Sequence, residues 1–259
     1  MRDPHVTKLL YRVEFDELLQ FSNPAPVQRR EPAFDFRLAD GVATFGMKEH
    51  HASYESAREK TDKYMRSYQM LAGLRYGYKV LRFELIDVRA IDRNPPDGSP
   101  TGEQSVGFHV ESVFETSRRV SRRESAYPAP PDDFETNEDT EAMWDLYERY
   151  RVGRDRLLPM AYSCMSRFEY GAGGNKRQAA TKYGVDEAVL KKLSELSTNL
   201  GVGTAARKTG QQHYHWNPSS TEVEWIEQVV KALIERAGEH AANPGGSLSQ
   251  ITMGHFPKL

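Results

Sequence analysis

A short proline-rich segment constrains the fold of this chain more than any other feature of its sequence. Residues Pro128–Pro131 include three prolines, which cannot donate the backbone hydrogen bonds that a central strand or a helix interior requires. The next ten residues hold six Asp or Glu and no basic residue, which is typical of a linker followed by the acidic first turn of a helix. The sequence therefore predicts one domain over residues 1–131, a linker over 132–137 and a second domain from residue 138.

The region before the prolines mixes strand and helix patterns. The Asp40-Gly41 pair separates two alternating segments and favours a tight hairpin turn between them. Residues 53–74 repeat apolar side chains every three or four positions, which predicts an amphipathic helix. We therefore expect an α+β domain of antiparallel strands and one long helix. The predicted strands cover residues 9–15, 34–38, 42–47, 80–86 and 106–110.

The region after the linker has a helical pattern throughout. Apolar residues recur every three or four positions, with Gly153 and Pro159 as predicted breaks. Ser219 and Glu222 form a capping box at the start of a long final helix. We expect an all-α helical bundle over residues 138–242.

A tail and the overall composition complete the description of the chain. Residues 243–259 are predicted to form a tail with two apolar anchors, Ile251 and Phe256. The mean hydropathy is −0.70. No apolar run approaches the roughly 20 residues of a membrane span, and no secretory signal is expected. The single cysteine, Cys164, excludes a disulfide framework within the chain and predicts a buried structural thiol. We expect a cytoplasmic protein that needs no cofactor and contacts no membrane.

Charge is distributed unevenly along the chain. The net charge is −2, whereas residues 151–215 carry 11 Lys or Arg against 5 Asp or Glu, a net of +6. A basic stretch can bind RNA or DNA, although a solvated face of a helical domain has the same composition. The candidate nucleic-acid-binding residues are Lys176, Arg177, Lys182, Lys191, Lys192 and Lys208.

The most specific local pattern is that of a helix-turn-helix beginning at Lys176. Ala180, Gly184 and Leu190 occupy the positions where two packed helices need a small contact, a left-handed turn and an apolar plug. The second helix starts with an Asp-Glu pair at 186–187, whose negative charges repel phosphate. A corner between two helices of a bundle and a DNA-binding regulator therefore both fit the pattern.

An Arg and a His precede the final helix. Residues 207–213 read Arg-Lys-Thr-Gly-Gln-Gln-His. Over residues 138–241 the chain resembles HEPN (higher eukaryote and prokaryote nucleotide-binding) domains, in which an Arg, four to six residues and a His precede a loop and a last helix. The resemblance implies a metal-independent ribonuclease in which Arg207 steadies phosphate charge and His213 transfers a proton. It also allows a degenerate domain of the same type that only binds or dimerises.

Three functions stay open on the sequence. The first is an RNA-directed or defence-associated bacterial-type protein with a HEPN-like C-terminal domain, able to form a homodimer through that domain. The second is a helix-turn-helix regulator that binds nucleic acid without catalysis, and the third is a protein-interaction module. His215 is an alternative to His213 as the catalytic histidine. No metal site is expected, because Glu49-His50-His51 is predicted to place its histidines on the surface at the end of a hairpin.

Overall fold

The chain forms two compact units. The structure is a computed structural model and describes residues 3–15, 19–77, 81–95, 103–107, 122–199 and 217–259. Contacts divide the chain into unit 1, Met1–Asp132, and unit 2, Asp133–Leu259. None of the helices in the described ranges is long and apolar enough to cross a lipid bilayer.

Unit 1 combines strands with one long helix. Its elements are β1 Pro4–Phe15, β2 Leu19–Ala25, β3 Val27–Arg30, β4 Phe34–Ala39, β5 Val42–Met47, α1 Tyr54–Tyr76, β6 Leu81–Asp92, β7 Gln104–Gly107 and β8 Arg122–Ala126. Within the described part of the unit, six strands form a sheet in the order β3-β4-β5-β1-β6-β7, and each neighbouring pair is antiparallel. A separate pair, β2 and β8, is parallel. The expected antiparallel strands and long helix are present.

The hairpin of β4 and β5 forms as predicted. Phe34, Phe36 and Leu38 are buried, while the side chains between them are exposed, so one face of β4 enters the core. Asp40 has φ 52° and Gly41 has φ 73°. Two consecutive positive φ angles produce the tight turn whose twist matches a two-stranded ribbon.

Helix α1 covers the core of unit 1. Its N-terminus is capped by Ser53, whose side chain accepts a hydrogen bond from the Ser56 N–H at 3.3 Å. Tyr68 is fully buried, and its ring and that of Tyr64 pack against the aromatic side chains of the sheet. The aromatic stripe of α1 is therefore its core face. The sheet contributes Val6, Leu9, Tyr11, Val13, Phe34, Phe36, Leu38, Ala43, Phe45, Leu81 and Val88 to this core.

Three strands of unit 1 were not predicted, and one lies elsewhere than expected. β2 contains a proline and pairs with a strand about a hundred residues later in the chain, so no local alternation marks it. β3 and β8 are short and polar. β7 covers Gln104–Gly107 rather than 106–110, and residues 108–110 lie outside the described residues.

Unit 2 is helical. Its elements are α2 Glu138–Arg151, α3 Leu157–Tyr170, α4 Lys176–Tyr183, α5 Glu187–Asn199, α6 Ser220–Ala242 and a 3₁₀ turn at Met253–His255. The predicted capping box is confirmed, since the Glu222 N–H donates to Ser219 Oγ at 3.2 Å and the Ser219 N–H donates to Glu222 Oε2 at 2.7 Å. Gly153, with φ 74°, lies in the break between α2 and α3. Pro159 lies in the first turn of α3, where its missing N–H costs nothing.

The segment predicted as a linker packs into unit 2. Phe134 and Thr136 are buried, and the Glu135 N–H donates to the carbonyl of Gly238 at 3.1 Å. A Cβ atom at Gly238 would overlap the ring of Phe134. Only glycine at position 238 lets this ring lie directly against the backbone of α6.

Candidate functional site

The two predicted catalytic residues, Arg207 and His213, lie outside the described residues, as do Lys208 and His215. The helices on either side of this segment, α5 and α6, are described. The arrangement of the Arg–His pair therefore stays a prediction, and the described part of the candidate site is the surface formed by the helices of unit 2.

A polar cluster lies where the end of α2 packs against the first half of α6. The Tyr150 hydroxyl donates a hydrogen bond to the Glu227 carboxylate, and Arg151 Nη1 donates to the Tyr147 hydroxyl at 3.4 Å. Burial raises the pKa of both tyrosines, so their hydroxyl groups stay protonated at neutral pH. Lys231 is half-buried one turn after Glu227.

The cluster holds two cations, Arg151 and Lys231, beside the carboxylates of Glu227 and Glu235. Burial and the positive charge of Arg151 lower the pKa of Lys231, against the opposing effect of the carboxylates of Glu227 and Glu235. The two cations repel each other, and the two carboxylates offset part of that repulsion. This cluster was not predicted from the sequence. The spacing of four residues between Glu227 and Lys231 places both on one side of α6 and was a local signal for the cluster. No local pattern indicated that residues of α2 contribute to it.

The helix-turn-helix pattern corresponds to two packed helices. Gly184 directly follows α4, and its φ of 62° and ψ of 39° give the predicted left-handed turn, while Leu190 is fully buried. Ala179, rather than the predicted Ala180, is the fully buried small residue, while Ala180 is partly buried and accepts the N–H of Val185 through its carbonyl at 3.1 Å. The pattern thus predicted the left-handed turn and the buried apolar residue. The buried small residue lies one position before the predicted one.

The C-terminal tail packs on this turn. The Ile251 N–H donates to the Gly184 carbonyl at 2.8 Å, and the Asp186 N–H donates to the Ile251 carbonyl at 2.7 Å. The Phe256 ring lies edge-on to Trp225 of α6, with centroids 5.8 Å apart. Both predicted anchors therefore make contacts, and the backbone edge at the start of α5 is occupied by the tail.

Most of the predicted nucleic-acid-binding residues are paired inside unit 2. Each of the four described lysines has an oxygen acceptor nearby, while Arg177 is exposed and has no such acceptor within the described ranges. Pairing reduces the attraction of these lysines for phosphate. The pairs are Lys176 with Glu169 (3.8 Å), Lys182 with the Gly171 carbonyl (2.7 Å), Lys191 with Glu187 (3.0 Å) and Lys192 with Glu195 (3.2 Å).

The prediction that His50 and His51 both lie on the surface is correct for His50 and wrong for His51. His50 is exposed, but His51 is buried, because its carbonyl continues the pairing of β1 by accepting the Val6 N–H at 2.8 Å. The His51 N–H donates to His5 Nδ1 at 3.4 Å, and His51 Nδ1 lies 3.1 Å from Ser56 Oγ. Among the residues that the structure describes, no three His, Cys, Asp or Glu are arranged to hold a metal ion.

Cys164 is a buried thiol, as predicted. It is fully buried on α3, with its sulfur 3.6 Å from the Met143 carbonyl oxygen. Burial raises the pKa of Cys164 to about 12, so the nucleophilic thiolate is not populated at neutral pH.

No protein-family model, curated protein or solved structure matches this chain. The resemblance to HEPN domains therefore rests on the sequence pattern of residues 207–213 and its place before the last helix.

Proposed function

We propose that this chain is an RNA-directed protein of HEPN type, in which unit 2 binds RNA and the pair Arg207 and His213 cleaves it. The observation that supports this function best is the polar cluster of Arg151, at the end of α2, and Lys231, in α6. The segment with the Arg–His pattern leads directly into that same helix. RNA supplies phosphates, and the exposed Arg151 and the half-buried Lys231 supply positive charges that can bind them.

The chemistry follows from the two residue types. A neutral His213 imidazole accepts the proton of a ribose 2′-hydroxyl, and the resulting oxygen attacks the adjacent phosphorus. The bond from phosphorus to the 5′-oxygen breaks, and that oxygen takes the proton from the protonated His213, which leaves a 2′,3′-cyclic phosphate on one product, a 5′-hydroxyl on the other and a neutral imidazole. The Arg207 guanidinium offsets the charge that builds up on the phosphate oxygens, and it stays protonated at any pH used in an assay.

The role of the polar cluster is to hold the RNA strand. Arg151 and Lys231 contact phosphates, while the hydrogen bond between Tyr150 and Glu227 fixes the end of α2 against α6. Contacts of this kind position a strand without reading its sequence.

We do not propose a sequence-specific DNA reader. In the helix-turn-helix geometry, bases are read from the start of the second helix. Here that start pairs with the tail through Asp186, whose side chain accepts the Ala188 N–H at 2.9 Å. Glu187 adds a second negative charge at the place where DNA would approach.

RNA cleavage by the purified full chain tests the catalytic part of the proposal. His213→Ala and Arg207→Ala are each expected to lower the rate by roughly 10²–10⁴, the usual range for general acid–base catalysis. EDTA is expected to leave the rate unchanged, and His215→Ala shows whether the histidine is assigned correctly. Full-chain protein that cuts no RNA at any salt concentration or pH would refute the catalytic role.

RNA binding at increasing salt concentration tests the role of the cluster. Lys231→Met keeps the apolar stem and removes the charge, so we expect weaker binding to all RNA sequences. The plot of log affinity against log salt concentration is expected to become shallower by about one. Lys258→Met, at an exposed position of the tail, is the matched control. Equal binding by both variants would show that the cluster does not contact RNA. Light scattering on the same samples tests the expected homodimer.

A further inference from the structure

An open cleft of about 600 Å³ lies in unit 1 beside the turn between β4 and β5. Three aromatic side chains line it: Phe15 at the end of β1, Phe21 in β2 and Tyr127 after β8. The ring centroids of Phe15 and Phe21 are 4.4 Å apart, and those of Phe21 and Tyr127 are 5.1 Å apart. The Gly41 N–H donates to the Tyr127 hydroxyl at 3.1 Å, which ties the aromatic wall to the hairpin turn. The volume is in the range typical of small-molecule sites.

Two polar side chains complete the cleft, Asn23 and Asp40. They are also the two non-glycine residues with positive φ in the described part of the chain, at 47° and 52°. The tight hairpin explains the conformation of Asp40, and Asn23 lies where the pairing of β2 with β8 shifts register. Both side chains are exposed, and neither has a hydrogen-bond or ion-pair partner among the described residues. The cleft therefore offers an aromatic wall, an amide and a carboxylate with unused acceptor oxygens.

These groups fit a planar ring with hydrogen-bond donors on its edge. Aromatic side chains stack on unpaired bases of single-stranded RNA, and Asn or Asp then read the edge of the base. A carboxylate only accepts hydrogen bonds, and its two oxygens match the two adjacent N–H donors of guanine. Asp40 is the only ionised side chain that lines the cleft within the described residues, so the phosphate of a bound nucleotide stays outside it.

We propose that this cleft binds an unpaired guanine base, with Phe21 stacking on the ring and Asp40 accepting its N–H groups. RNA is the source of the base, and this part of the inference rests on the proposed function. The cleft then gives unit 1 a part in choosing the RNA, while unit 2 contacts phosphates without regard to sequence.

The test uses the full chain and two probes, mant-GMP and a fluorescein-labelled single-stranded RNA that contains guanine. Asp40→Asn keeps the size of the side chain and suits a left-handed backbone position. We expect it to weaken mant-GMP binding about tenfold, as the loss of a paired base contact does, and to leave mant-AMP binding nearly unchanged. Phe21→Leu removes the stacking ring but keeps an apolar side chain, and it is expected to weaken both nucleotides about tenfold.

Matched variants elsewhere in unit 1 serve as controls. Asp35→Asn changes an exposed carboxylate of the same hairpin, and Phe83→Leu changes a half-buried ring that does not line the cleft. Binding unchanged in these two and weakened in the cleft variants supports the proposal. No mant-GMP binding, or equal loss of mant-GMP and mant-AMP in Asp40→Asn, overturns it.

The RNA arm separates this inference from the proposed function. If RNA binding depends on Asp40 while no RNA is cut, the cleft is supported and the catalytic role of His213 fails. If RNA is cut but neither nucleotide binds, the proposed function stands and the cleft assignment is overturned. Binding of mant-GMP without binding of RNA contradicts RNA as the source of the base.

Discussion

The two units close their cores with different parts of the chain. In unit 1 the buried side chains come almost entirely from strands and α1, as Phe36, Phe45 and Tyr68 illustrate. In unit 2, segments outside the helices complete the packing, because Phe134 lies against Gly238 and Phe256 lies against Trp225. The difference shows that segments resembling a linker and a tail in sequence are structural parts of a helical domain.

Removal of the tail is expected to have the largest effect. Deletion of residues 247–259 removes the Phe256 contact and the two backbone hydrogen bonds of Ile251, so we expect unit 2 to lose about 3 kcal/mol of unfolding free energy. Tryptophan fluorescence during urea unfolding measures this, because Trp144, Trp216 and Trp225 all belong to unit 2. Deletion of only residues 258–259 is the control. An unchanged midpoint in the longer deletion would mean that the tail does not stabilise the unit.

Gly238→Ala is expected to have the second largest effect. Alanine normally stabilises a helix interior relative to glycine by roughly 0.5–1 kcal/mol. Here its Cβ atom overlaps the Phe134 ring, and we expect a loss of about 1–3 kcal/mol, measured by the same fluorescence assay. In a Phe134→Ala background the same change is expected to stabilise the unit. A stabilising effect in the native background would contradict the described packing.

A decrease in pH is expected to destabilise unit 1 through His5. Burial, and then the positive charge of Arg93, lower the pKa of His5 below its ordinary value. The unfolded chain therefore binds more protons than the folded chain once the pH falls below the ordinary histidine pKa of about 6.5. The stability that depends on the neutral form of His5 is fully present above that pH. It declines as the pH falls further, until the pH has passed the lowered pKa of His5 in the folded chain.

Hydrogen exchange of the β1 amides at several pH values, corrected for intrinsic exchange rates, measures this decline. His5→Gln is expected to flatten the dependence, whereas His255→Gln, at an exposed position of unit 2, is expected to leave it intact. A pH dependence in β1 that survives His5→Gln would assign it to another group.

The smallest expected effect concerns the surface charges of α5. Lys191 and Glu187 form an exposed pair at 3.0 Å with a spacing of four residues. Pairs of this kind contribute about 0.3–0.5 kcal/mol, so Lys191→Ala is expected to change unfolding free energy by no more than that. A larger loss in urea unfolding would show that α5 depends on its charges as well as on its buried face.

Local patterns predicted the elements that depend on neighbouring residues. The turn at Asp40, the capping box at Ser219 and the left-handed turn at Gly184 each rest on a few residues with specific backbone preferences. Features that join distant residues had no such pattern. The parallel pairing of β2 with β8 and the burial of His51 against β1 arise only once the sheet is assembled.

In the candidate site, too, local patterns were predicted and contacts between distant residues were not. The Arg–His pattern before α6 was visible in sequence, but the contact between Tyr150 and Glu227 joins residues 77 positions apart. The pKa of Lys231 changes only because folding buries it near Arg151. Conversely, residue types alone suggested nucleic-acid-binding lysines in α4 and α5, and folding pairs those lysines with acceptors.

The buried thiol of Cys164 can report when the interior of unit 2 opens to solvent. Since it is the only cysteine and lies fully inside unit 2, a thiol reagent can label the native protein only when the helices around α3 separate. The labelling rate therefore measures how often the interior of that unit becomes accessible to solvent. No engineered label is needed, and the same measurement in the presence of RNA would show whether the ligand suppresses that motion.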